Sequence, residues 1–128
     1  MIRLLFAIAL SCFGVVACHA SDAESSHGVV GFWQMIEDED GGPLGGVFEL
    51  RSDNTHVGYA KDCSEYPALP FHVYKGDIFV SSDVPGKGPV SVMFRPSPDG
   101  TKLTFTSPRT RNNAVHAFHK TNPCKPQP

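Results

Sequence analysis

The histidines are the side chains of this 128-residue sequence best suited to metal binding or acid–base chemistry. His116 and His119 are three residues apart, a separation that places two side chains on one face of a helix but on opposite faces of a strand. The surrounding residues favour a strand, so the two do not form a ready metal-binding pair. His56 and His72 show no mutual spacing signal. We expect all four to be surface or half-buried residues.

An acidic run, Glu37–Gly42, raises the question of calcium binding. A loop of the EF-hand type needs oxygen ligands alternating over a longer stretch and a closing Glu, and Ile36 stands where an earlier ligand is needed. We therefore interpret the run as a solvated hairpin tip. The sequence also has no G-x-S-x-G elbow that would position a nucleophilic serine. We expect neither enzymatic activity nor a metal or other cofactor.

The first 17 residues have the order of an export signal. Arg3 is their only charge, an apolar run follows it, and small residues end the segment, which is typical of a signal peptide and too short to span a bilayer comfortably. The chain therefore divides into a signal at 1–17, a tether at 18–28, one domain at 29–124 and a tail at 125–128.

The end of this signal resembles the lipobox of bacterial lipoproteins, through the residues Val15–Cys18. The resemblance implies that Cys18 is acylated and holds the chain on a membrane. His19, rather than Asp, follows the cysteine, which by the same resemblance favours the outer membrane, with the domain facing the periplasm. The alternative is cleavage after Ala20, which would release a secreted or soluble periplasmic protein.

Two of the four cysteines, Cys63 and Cys124, remain in the folded region once Cys12 and Cys18 are assigned to the signal and its end. An even pair in an oxidising compartment predicts a disulfide. Closing so long a loop would stabilise the fold by about 4 kcal/mol on the chain-entropy model. The alternatives are a catalytic cysteine or a zinc site, but the sequence has no C-x-x-C spacing to support either.

The composition indicates one domain made of many short elements. The chain contains 12 Gly and 11 Pro, and its net charge of −2 lacks the basic excess of most nucleic-acid-binding proteins. Turn signals such as Asp99-Gly100 separate stretches rich in β-formers, and no long helical period appears. Eight strands are predicted, at 29–37, 46–52, 55–61, 70–75, 77–82, 89–95, 102–107 and 113–120.

Each predicted strand has one apolar face, which is what an antiparallel sheet closed around its own core needs. Closure also removes the exposed edges of the sheet. The short sequential hairpins favour an up-and-down β-barrel over a β-sandwich. The side chains predicted to point inward are Trp33, Met35, Phe48, Leu50, Phe71, Val73, Val80, Val92, Phe94, Leu103, Phe105 and Phe118. They are bulky enough to fill most of an eight-stranded barrel.

Gly31-Phe32-Trp33, on the first predicted strand, is similar to the G-x-W motif of the lipocalin-like (calycin) barrels. In that family the Trp closes one end of the barrel and the Gly permits close backbone approach. Cys63 and Cys124 also sit where many lipocalins tie the region of the fourth strand to the C-terminus. The resemblance covers 28–124, and it implies an eight-stranded barrel that binds a small apolar or amphipathic ligand.

Our leading hypothesis is a non-catalytic binding protein of the cell envelope, with Trp33, Tyr66 and Phe71 as candidate ligand contacts at the barrel mouth. The alternative is an inhibitor or immunity protein that blocks a secreted hydrolase or toxin. Charge supports the alternative, because 18–66 has 10 acidic and 2 basic residues whereas 67–128 has 3 acidic and 8 basic residues. The candidate partner contacts are Arg109, Arg111, His116 and His119.

Overall fold

The computed structural model describes residues 27–126. The predicted signal, the acylation site at Cys18 and most of the tether lie outside the described residues. A short 3-10 helix, His27–Val29, leads into a chain whose other regular elements are all strands. Within this range no helix has the length and the hydropathy needed to cross a bilayer.

Eight strands form where the alternation of apolar residues and the turn residues predicted them. Their observed ends differ from the predicted ends by three residues at most. The strands are β1 (Gly31–Asp38), β2 (Val47–Leu50), β3 (Thr55–Gly58), β4 (Leu69–Tyr74), β5 (Asp77–Val84), β6 (Gly88–Pro96), β7 (Lys102–Thr106) and β8 (Asn113–His119).

The strands form one closed antiparallel barrel in sequence order. The closing pair is β1 with β8, in a register that places Phe32 opposite His119 and Asp38 opposite Ala114. Closure satisfies the backbone groups that an open sheet would expose along its two edge strands. The predicted eight-stranded up-and-down barrel is therefore confirmed, and the sandwich alternative is wrong.

Apolar side chains pack against one another inside the barrel. They come from alternate residues of six of the strands, β1, β2 and β4–β7, because successive side chains of a strand point to opposite faces. Nine of them form the core and are at most 7% exposed: Trp33, Phe48, Leu50, Phe71, Val73, Ile78, Val80, Phe94 and Leu103. All but Ile78 were predicted to point inward.

A histidine, His116, is also buried inside the barrel. His116 is opposite Leu103 on β7 and Met35 on β1, both inward-facing, and it is only 6% exposed. The expectation that all the histidines lie at the surface or half-buried is therefore wrong for His116. The strand register, rather than the polarity of the residue, decides which way its side chain points.

The two ends of the barrel differ. Short connections at 51–54, 75–76 and 97–101, together with the 3-10 helix, lie at one end, which we call the turn end. The longer connections 39–46, 59–68 and 107–112 lie with 85–87 at the other end, which we call the loop end.

Trp33 seals the turn end. It is completely buried, its Nε1 donates a hydrogen bond to the Val29 carbonyl at 3.0 Å, and the Phe118 ring meets its indole edge-on at 5.4 Å. Gly31 has a φ of 148°, and the Phe118 ring occupies the space that a side chain at Gly31 would need. Glycine is therefore required there, on both conformational and steric grounds.

Candidate functional site

The C-terminal tail is held against the outside of the barrel by a disulfide. Cys63, in the β3–β4 loop, is bonded to Cys124, five residues beyond β8, with their Cα atoms 5.9 Å apart. This confirms the predicted pairing. Because β8 ends at the turn end and Cys63 lies in a connection of the loop end, the tail must return along the barrel wall after His119.

The loop that receives the tail is ordered by local hydrogen bonds. The Asp62 carboxylate accepts bonds from the Ser64 backbone N–H at 3.0 Å and from its hydroxyl at 2.6 Å. These bonds hold the pKa of Asp62 below its usual value. Cys63 itself has a φ of 68°, and its N–H donates to the Ala60 carbonyl at 2.8 Å. The turn thus fixes the backbone from which the Cys63 sulfur reaches the tail.

A cavity of about 570 Å³ lies between the tail and the barrel wall. Its floor is the outer surface of the barrel wall. Gln34 of β1, Val47 of β2 and Tyr59, which directly follows β3, form this floor. One wall is the segment Pro43–Gly46 of the β1–β2 loop, and the other is Pro123–Lys125 of the tail. We call this cavity the tail groove. Its volume is within the range of small-molecule sites, about 300–1,000 Å³.

Polar contacts stiffen the floor of the tail groove. The Gln34 side-chain amide donates to the Gly45 carbonyl at 3.3 Å, and the Tyr59 hydroxyl donates to Glu49 at 3.0 Å. Burial raises the pKa of Tyr59, so its hydroxyl stays protonated. Arg51 bridges Glu49 at 2.8 Å and Glu65 at 3.0 Å, which ties β2 to the β3–β4 loop.

Two lysines, Lys61 and Lys125, bring positive charge to the groove. Lys61, Lys125 and His119 are its ionisable lining residues other than Tyr59, and no carboxylate of the described part of the chain lines it. Leu44, which is 56% exposed, adds an unusually open apolar surface beside them. The groove therefore combines exposed apolar surface on its walls with a cationic rim formed by Lys61 and Lys125.

Two histidines form a separate feature inside the barrel. His56 and His116 both pack on Phe48, with ring centroids 4.8 and 5.0 Å away. The Nδ1 atom of each is buried with no hydrogen-bond partner among the described residues. Burial lowers the pKa of His56, and it lowers the pKa of His116 to about 4. Both rings are therefore neutral at pH 7.

The three candidate ligand contacts do not share an accessible surface. Trp33 and Phe71 belong to the buried core, whereas Tyr66 is 58% exposed in the β3–β4 loop at the loop end. The Tyr66 ring lies over Gly58. A ligand at the loop end could touch Tyr66 but could not reach Trp33 unless core side chains moved.

The four candidate partner contacts are also dispersed. Arg109 and Arg111 are exposed together in the β7–β8 loop at the loop end. His119 lies at the turn end and lines the tail groove, while His116 is inside the barrel. Only the two arginines can act on one surface.

Sequence reasoning missed the tail groove, although one signal for it was present. The tail has no periodic pattern, so nothing in its own residues predicts its path. A disulfide from the β3–β4 loop to a cysteine after the last strand, however, requires that the tail cross the outside of the barrel wall.

Comparisons with protein-family models, with curated proteins and with solved structures found no match for this chain. In the described range, no three His, Cys, Asp or Glu side chains are grouped in a way that could hold a metal ion. The candidate site therefore rests on the geometry of the groove.

Proposed function

We propose that this protein is a non-catalytic binding protein of the bacterial cell envelope that takes a small apolar or amphipathic ligand in the tail groove. The observation that carries the proposal is the groove itself, a space of about 570 Å³ with apolar residues in its walls, on the outside of a barrel with a packed interior. Apolar pockets with a few polar groups are the usual form of small-molecule sites.

The groove is a better candidate than the barrel interior. A ligand inside would have to displace side chains such as Trp33, Leu50 and Leu103, which are completely buried. Displacing close-packed core side chains costs several kcal/mol. The groove requires no such displacement. In this respect the proposed mode differs from the ligand position that the lipocalin-like resemblance implies.

Mass spectrometry of organic extracts from the purified protein tests the proposal, together with titration by Nile red, a neutral hydrophobic dye. We expect a co-purifying amphiphile and saturable dye binding. Gly46→Phe supplies the blocking variant, because a Cβ at this groove-lining position meets open space. Gly28→Phe is the matched control, since Gly28 is equally open but lies outside the groove. Equal dye binding by both variants would contradict the proposal.

The proposed location rests on the export signal and the lipobox-like residues before Cys18. A lipid anchor there would keep the barrel at the periplasmic face of the outer membrane. Cys18→Ser tests this part separately, because it removes the acylated thiol while leaving the barrel unchanged. We expect the variant to lose its membrane association, and retention of Cys18→Ser in the outer-membrane fraction would contradict the anchor.

A second function is binding of a protein partner, as an inhibitor or immunity protein. The joined loops and exposed arginines of the loop end favour it. The Asp40 carboxylate accepts hydrogen bonds from Thr110 at 3.0 Å and Asn112 at 2.7 Å, which join the β1–β2 and β7–β8 loops. Arg109 and Arg111 remain exposed on this joined surface. Affinity capture from envelope extracts and competitor secretions tests it, with Arg109→Glu/Arg111→Glu as the variant. A stoichiometric partner lost in the variant supports this function, and equal capture by both proteins contradicts it.

A further inference from the structure

The disulfide places two lysines at the same groove. Lys125 directly follows Cys124, and Lys61 precedes Cys63 by two residues, so the bond between these cysteines brings together cations that are 64 positions apart. Both lysines line the tail groove. The cationic rim is therefore a consequence of how the tail is fastened.

The charges of these lysines are not neutralised within the described chain. The ion pairs of residues 27–126 involve Arg51 and Arg95, and neither Lys61 nor Lys125 takes part in one. Asp62 is next to Lys61 in sequence, but its carboxylate is occupied by Ser64. Glu49, behind the floor, is occupied by Arg51 and Tyr59.

Beside the two lysines, the groove also presents apolar surface that a hydrocarbon chain could contact. Its exposed apolar surface lies mainly on the walls, at Pro43 and Leu44 of the β1–β2 loop and at Pro123 of the tail, whereas Val47 in the floor is only 6% exposed. Leu44 has no polar function to satisfy and remains more than half exposed. Covering this surface with a hydrocarbon chain would remove it from water, which is the main favourable contribution in such sites.

We propose that the tail groove binds a single-chain anionic amphiphile, with the carboxylate or phosphate head at Lys61 and Lys125 and the hydrocarbon chain along Pro43, Leu44 and Pro123. This inference rests on the proposed function and specifies its ligand. Opposite charge and an apolar chain are both needed, because exposed ion pairs alone contribute little in water.

Isothermal titration of the mature protein compares laurate with monolaurin, which has the same hydrocarbon chain and a neutral head. We expect laurate to bind more tightly and its affinity to fall as salt is raised. Lys61→Gln/Lys125→Gln should weaken laurate about tenfold while leaving monolaurin unchanged. Lys87→Gln/Lys102→Gln is the matched control, since both of these lysines lie outside the groove. Gly46→Phe should abolish binding of both compounds.

The outcomes separate the two proposals. Binding of neither laurate nor monolaurin overturns the proposed function itself. Equal binding of both, insensitive to the lysine variants, overturns only the anionic specificity. A third titration, with lysophosphatidylglycerol, distinguishes a phosphate head group from a carboxylate. Binding of this lipid as well as laurate indicates a site for either anion. Binding of laurate alone restricts the site to a carboxylate.

Discussion

The two faces of the wall formed by β1, β2 and β3 carry different tasks, although their residues alternate along the same strands. Trp33 faces inward and is completely buried, while its neighbour Gln34 faces outward, is partly exposed and lines a groove. The alternation of side chains along a strand thus separates residues that pack in the core from residues that line the groove. A barrel with a packed interior can still form an outer groove when a tail adds a second layer outside the wall.

Removing an inward side chain should give the largest effect. Trp33→Ala is expected to lower the free energy of unfolding by about 4–5 kcal/mol, because a completely buried indole and its bond to Val29 are both lost. Urea titration followed by circular dichroism measures the change. Tyr74→Ala is the matched control, since this outward aromatic is 42% exposed. A similar loss of unfolding free energy in Trp33→Ala and Tyr74→Ala would show that inward and outward side chains stabilise the barrel equally.

The disulfide should stabilise the outer layer and the whole fold together. Cys63→Ser/Cys124→Ser is expected to lose about 4 kcal/mol on the chain-entropy model, because a loop with a sequence separation of 61 is no longer closed. The tail wall of the groove should also be released, so dye binding should fall even where the barrel stays folded. Thermal unfolding and Nile red titration of one preparation measure both effects. Unchanged dye affinity in the folded variant would show that the tail does not form the site.

Acid should weaken the inner face. The pKa of His116 is about 4 in the fold because of burial and about 6.5 when unfolded, so above pH 6.5 both states are neutral and its contribution is complete. Between pH 6.5 and 4 the unfolded chain takes up a proton that the barrel does not. Stability should therefore fall by about 3 kcal/mol from this residue, and His56, with its pKa also lowered, acts in the same direction.

Urea titrations at pH 7, 5.5 and 4 check this dependence. His116→Leu should flatten the curve over that window, because it removes the largest proton uptake that distinguishes the two states. The carboxylate of Asp99, whose pKa is about 2, contributes only at lower pH. If the free energy of unfolding of His116→Leu still falls as steeply between pH 6.5 and 4 as that of the unchanged protein, groups other than His116 cause the loss of stability.

A change on the outer face should have the smallest effect. Tyr59→Phe removes the hydroxyl that donates to Glu49, and Glu49 keeps its bond to Arg51. We expect a loss of about 1 kcal/mol in the free energy of unfolding, the ordinary net value of one hydrogen bond. Differential scanning calorimetry can resolve it. A loss as large as that of Trp33→Ala would mean that the outer face is as tightly packed as the inner one.

The sequence predicts the barrel well because its information is local. Apolar alternation places residues such as Val92 and Phe94 on one face, and turns such as Asp99-Gly100 reverse the chain where they occur. The same reasoning failed for the burial of His116, because register overrides side-chain polarity. It also missed the bulge at Ile36, where the β1–β8 register shifts and leaves this apolar residue 38% exposed.

The candidate site was less predictable because it depends on contacts between distant segments. Gln34, Pro43, Lys61 and Lys125 come from four parts of the chain, and only closure of the barrel and the cross-link bring them together. Trp33 lies where the G-x-W resemblance implies, completely buried at one end of the barrel, and its role as a ligand contact stays a prediction.

The pairing of β1 with β8 has a consequence for how the molecule is made. These strands are the first and the last of the domain, so a chain that emerges from a ribosome or an export channel with its N-terminus leading cannot close the ring until residues 113–119 have arrived. Until then two strands have unpaired backbones that can recruit other chains. Assembly limited by such a distant pairing is slow, in the millisecond-to-second range of β-rich domains, and the unfinished chain is the form most in need of a chaperone.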